Sequence, residues 1–126
     1  MKALDENVGH ERSSVRQTML EEEPVCLRVN LNGGIILPVI ELGGGGARLN
    51  CSKYKEHFED WFVGHSLGPS RLMLPENEMH EVNPVIRWIK WPVAGVQFMD
   101  LPDKDRGDIF RFLFKLERIK KKRQDL

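Results

Sequence analysis

The sequence predicts an all-β core with one helix: a six-stranded antiparallel β-barrel carrying an α-helix at its C-terminus. Three observations support this. Short alternating or β-branched apolar runs, such as residues 25–29 and 35–42, are separated by turns rich in glycine and proline. The hydrophobic period then switches to that of a helix near the C-terminus. At 126 residues the chain makes one domain, well short of the roughly 200 residues that a (β/α)₈ barrel needs.

Taken in order, residues 1–16 are polar and aperiodic. They predict a flexible N-terminal tail over 1–11, ahead of a single domain over 12–126. Met19 and Leu20 open a first short strand. Residues 25–29 alternate, and Asn32-Gly33-Gly34 is hairpin chemistry, because glycine tolerates positive φ. Residues 35–42 follow as a β-branched strand in which Pro38 implies an edge or a bulge. Four glycines at 43–46 break the chain before a strand at 47–49. Residues 51–70 fit either a helical turn around 54–61 or an elaborated loop. Residues 72–74, 85–91 and 93–99 read as three more strands, with a turn near Trp91-Pro92.

A helix is predicted over about 102–123. Ile109, Phe112, Leu113, Leu116 and Ile119 fall on one face. Pro102 suits a first-turn position. Asp103, Asp105 and Asp108 complement the positive end of the helix dipole, as Lys115, Arg118, Lys120, Lys121, Lys122 and Arg123 do the negative end.

Nineteen Lys and Arg balance nineteen Asp and Glu, which argues against a bulk-basic binder of DNA or RNA. The charge is uneven, however, net −3 over residues 1–24 and net +4 over 103–126. Two cysteines, Cys26 and Cys51, make no disulfide framework and point to reduced thiols in a cytoplasm. The first residues lack the apolar core of a secretory signal, and no apolar run approaches a membrane span. The expectation is a cytoplasmic domain without membrane insertion.

Several constellations invite a chemical reading. Gly64-His65-Ser66-Leu67-Gly68 matches G-x-S-x-G, the turn that presents a nucleophilic serine in α/β-hydrolases. Pro69 and Pro75 leave no room for the helix that turn requires, and His80 is the only later histidine. A loop with two turn glycines is the better reading, and no enzyme is expected. Cys51, His57, His65 and His80 follow no zinc spacing, so no metal is expected. The four glycines lack the Lys-Ser/Thr of a P-loop. The basic C-terminal run complements its own helix end, and Trp88 and Trp91 suit barrel packing more readily than base stacking.

Arg12-Ser13-Ser14-Val15-Arg16 remains. Each guanidinium is a planar fork suited to phosphate oxygens or the O6/N7 edge of guanine. A nearby glycine turn lets a flat purine approach the backbone. Together they suggest a purine-nucleotide phosphodiester ligand.

The chain resembles a PilZ domain. RSSVR at 12–16 matches the RxxxR part of that family's ligand motif, and ELGGGGARL at 41–49 lines up with its DLSxGGARL stretch. GVQFMDL at 95–101 and RGDIFRFLFKLER at 106–118 are similar to its last strand and terminal helix. The resemblance covers roughly residues 10–118. It implies a receptor for the bacterial second messenger cyclic di-GMP, with no cofactor, no catalysis and a downstream protein partner. By position, Arg12 and Arg16 would grip phosphates and guanine edges, Glu41 would accept from a guanine N–H edge, and Gly46 would supply the tight turn. The tail would rearrange over the ligand. Three positions depart from the motif: Glu41 replaces Asp/Asn, Gly43 replaces a serine, and Ser13 stands where many members carry a second arginine. These departures favour either a weakened receptor or an adaptor that has lost the nucleotide.

Overall fold

The computed structural model describes residues 16–30 and 34–124. Among these residues, eight strands and two helices run in the order β1 (Arg16–Thr18), β2 (Cys26–Val29), β3 (Ile35–Gly43), β4 (Gly46–Asn50), α1 (Lys55–Glu59), β5 (Ser70–Met73), β6 (Met79–Val82), β7 (Pro84–Lys90), β8 (Val93–Phe98) and α2 (Asp103–Gln124). The predicted tail and Arg12 lie outside the described residues.

All neighbouring strands are antiparallel, in the order β6-β5-β2-β3-β4-β8-β7. Asn83 alone separates β6 from β7, so the two ends of this order are joined through the chain and the sheet curls into a half-barrel. β3 pairs with β2 through residues 35–38, and its second half is flanked by β1 and β4. The irregularity that Pro38 implied falls one residue on, as a register shift between Val39 and Glu41. Short of β4, the Ile36 N–H is taken by the Tyr54 hydroxyl at 3.2 Å.

Inward positions alternate as a half-buried sheet demands. Leu27, Leu37, Leu42, Leu49, Leu72 and Ile86 are fully buried, as are Ile109, Leu113 and Leu116 of α2, and Phe112 is nearly so. Each such side chain contributes about 1.5–3 kcal/mol, enough to fix α2 against the sheet. Ile119, the last residue of the predicted face, is half-buried.

Three differences from the sequence reading have local causes. The first strand precedes Met19 and Leu20, which instead pack half-buried against the core. Residues 51–70 are both helix and loop: α1 takes five residues, and residues 64–67 run along β7, with Gly64 N–H donating to Ile86 O at 2.7 Å and Leu67 N–H to Pro84 O at 2.9 Å. β6 went unread because His80 occupies one of its two inward positions. With β6 added, the seven runs read as strands become eight around the predicted core. Among the described residues, no helix is long and apolar enough to cross a membrane.

Candidate nucleotide-binding site

The register of β1, β3, β4, β8 and β7 builds one surface from residues far apart in sequence. Thr18 pairs with Glu41, Glu41 with Arg48, Arg48 with Gly95 and Gly95 with Trp88, a continuous row across five strands. One residue along lie Leu42, Ala47, Val96 and Ile86, all in the core. The Glu41 row therefore faces away from the core. Beyond it, Arg16 pairs with Gly43, and Gly46 with Gln97.

Arg16, Glu41, Gly43, Gly46, Arg48, Trp88, Gly95 and Gln97 line a cavity of about 620 Å³, within the usual range of small-molecule sites. Its floor depends on two glycines. A Cβ on Gly95 would collide with the indole of Trp88, so the bare backbone lets that ring lie flat across β8. A Cβ on Gly46 would meet the carbonyl oxygen of Val96, so only glycine allows β4 and β8 this close at the rim.

Three arginines and one carboxylate border the cavity. The Arg48 guanidinium lies 5.9 Å from the centre of the Trp88 ring and 3.9 Å from Oε1 of Glu41. Arg87 donates from Nε to Oε1 of Gln97 at 2.8 Å. Trp88 is 41% exposed, so part of its indole is accessible to a planar ligand. Chemically the surface offers cationic forks, a carboxylate acceptor and an aromatic platform.

Of the residues the sequence singled out, Arg16, Glu41, Gly43 and Gly46 all line this cavity. Arg12 lies outside the described residues. Arg48, Arg87 and the outward role of Trp88 were missed. Alternation in β4 would have flagged Arg48, exposed between Ala47 and Leu49. Strict alternation from buried Ile86 turns Trp88 inward, but a register shift between Ile86 and Trp88 leaves both Arg87 and Trp88 exposed.

The other candidates take ordinary places. Ser66 is exposed, and its Oγ accepts the Gly68 N–H at 3.1 Å in a loop where Gly64 and Gly68 both have positive φ. His57 stacks edge-on to Tyr54, and His65 lies against Phe62. Burial pushes the Cys51 thiol up to about 11. Trp91 packs edge-on against Phe58 at 4.9 Å. Among the described residues, only Glu78, His80 and Asp108 gather three potential metal-ligand atoms. There, however, both ring nitrogens of His80 are already taken by carboxylates, those of Asp105 and Glu78.

No protein-family model and no curated protein matches the sequence. Solved structures do match. The E. coli YcgR complex with c-di-GMP superposes with a TM-score of 0.71 at 14% identity, covering 87% of this chain and 47% of that one. The K. pneumonia MrkH–c-di-GMP complex gives 0.69 at 18% identity, covering 86% and 53%. The chain thus spans about half the length of those two proteins. Against the PilZ domain of E. coli YcgR with c-di-GMP, the TM-score is 0.66 at 13% identity, covering 87% of this chain and 94% of that domain. With its curled antiparallel sheet and C-terminal helix, this chain has the fold of a PilZ domain.

Proposed function

We propose that this chain is a non-catalytic receptor domain for cyclic di-GMP. One observation carries the reading: two motif halves about 25 residues apart in sequence, Arg16 on one side and Glu41, Gly43 and Gly46 on the other, line a single cavity. Solved structures that share its fold include the MrkH complex and the YcgR PilZ domain, both with c-di-GMP, which supports the same ligand class here.

The chemistry fits the ligand. Two phosphodiesters call for cationic forks, which Arg16, Arg48 and Arg87 supply. A guanine base can lie on the accessible part of the Trp88 indole, an interaction worth about 1–3 kcal/mol for an aromatic–base stack. Glu41 can accept from the guanine N–H edge once it leaves Arg48. A pair at 3.9 Å with Arg48 exposed and Glu41 half-buried is worth only about 0–1 kcal/mol, so the exchange costs little. Gly43 supplies no hydroxyl, which lowers affinity by about one hydrogen bond without removing the site. The signal then passes to a protein partner.

Isothermal titration of the full chain with cyclic di-GMP tests this, beside Arg12→Ala and Arg16→Ala. Truncating a guanidinium that holds a desolvated phosphate costs roughly 2–5 kcal/mol, a weakening of about 30-fold or more. Absence of binding by the wild type overturns the receptor reading and leaves the adaptor. Wild-type affinity in both variants overturns the site.

A further inference from the structure

Away from the cavity, a second set of titratable groups surrounds His80. Its side chain is 5% exposed, and each ring nitrogen faces a carboxylate. Nδ1 lies 2.7 Å from Oδ1 of Asp105 in the first turn of α2, and Nε2 lies 2.6 Å from Oε2 of Glu78 in the β5–β6 turn. A neutral imidazole has a single N–H, so it can serve one carboxylate and must turn a lone pair on the other. Two ionised carboxylates at these distances need both nitrogens to donate, which makes the ring an imidazolium. Burial opposes that charge, yet the hydrogen bonds to Asp105 and Glu78 outweigh it and hold His80 above its ordinary value.

The charges around the ring come from two elements. Its own hairpin supplies Glu78, and α2 supplies Asp105 and Asp108, the last already taken by Arg111 at 2.9 Å. Across the ladder, β5 opposes His80 with uncharged Leu72.

We propose that Glu78, His80 and Asp105 form a pH-operated clamp on α2. As an imidazolium, His80 pins the first turn of the helix to β6 and to the β5–β6 turn at once. On losing its proton it holds only one of them, and the helix start loosens. The sign follows from the raised folded value: the clamp is complete below the unfolded histidine value, about 6.5, and is lost as pH rises through the folded one.

The consequence reaches beyond the helix end. The Phe110 ring occupies the space beside Gly44 in the β3–β4 turn, where a side chain would otherwise sit. Farther along α2, Lys120 donates to Oε1 of Gln17 at 2.9 Å and to the carbonyl of Thr18 at 2.6 Å. The element that the clamp anchors thus touches both the glycine turn and β1.

Nuclear magnetic resonance on the full, ligand-free chain tests the clamp without reference to any nucleotide. Imidazole ¹⁵N shifts give the His80 midpoint and show whether both nitrogens carry protons. Amide protection at residues 107–110, corrected for intrinsic exchange, reports how firmly the helix start is held. The expected result is a midpoint above 6.5, with protection falling about tenfold or more across it, the scale of one charge-assisted hydrogen bond. Asp105→Asn keeps the ring and removes one charge, so its midpoint should fall. His80→Gln should make protection independent of pH. A wild-type midpoint at or below 6.5, or unchanged protection across it, overturns the clamp. So does an unshifted midpoint in Asp105→Asn.

Discussion

Replacing Gly46 by alanine places a methyl group against the carbonyl oxygen of Val96, on the neighbouring strand of the β4–β8 ladder. The obstructing atom is backbone, so no rotamer change relieves it, and one strand must move from the other. Such overpacking typically costs about 1–3 kcal/mol. Against this, alanine lowers the entropy of the unfolded chain, which returns about 0.4–1 kcal/mol. The net loss is then about 1–2 kcal/mol. With a urea m-value of about 1–3 kcal/mol/M, the unfolding midpoint drops by roughly 0.3–2 M with an unchanged slope. Gly45→Ala is the control, because a Cβ there meets nothing within 4 Å. It should unfold at or slightly above the wild-type midpoint. Equal midpoints for Gly46→Ala and wild type would refute the close approach of β4 and β8 at the rim of the cavity.

Three further outcomes follow from the same geometry. Gly43→Ser restores the hydroxyl found at this position in the PilZ motif, and should tighten cyclic di-GMP several-fold in a calorimetric titration, since one neutral hydrogen bond is worth about 1 kcal/mol. Weaker or undetectable binding by the folded variant would remove position 43 from the site. Cys51 is fully buried with its thiol raised to about 11, so a thiol reagent at pH 8 should modify the half-buried Cys26 first and Cys51 only on unfolding; early labelling of Cys51 would contradict its burial. Ser66 should resist a fluorophosphonate probe under native conditions, because its hydroxyl oxygen serves the Gly68 N–H in a surface loop; covalent labelling would show an activated serine.

What was legible in the sequence was local. Alternation gave β2, a β-branched run gave most of β3, and the 3.6 period gave the buried stripe of α2 through Ile109, Phe112, Leu113 and Leu116. β6 was obscured by a histidine at an inward position, which breaks the apolar pattern although the strand alternates faithfully. The role of that histidine depends on Asp105, 25 residues away, and no local pattern announces such a contact. The cavity was half legible for the same reason. Arg16, Glu41, Gly43 and Gly46 came from the resemblance to the PilZ motif, whereas Arg48 and Trp88 meet only because Gly95 stands between them in the strand register. A bulge then decides which way Trp88 faces.

Under the proposed function, cyclic di-GMP occupies the cavity formed by β1, the β3–β4 turn, β4, β8 and β7. Amide shift mapping on the full chain, titrated with cyclic di-GMP, tests it most directly. The largest changes should fall on Arg16, residues 41–48 and residues 95–97, together with the indole N–H of Trp88. Changes confined to the Phe58, Trp61 and Trp91 surface, or no change at saturating nucleotide, would contradict it.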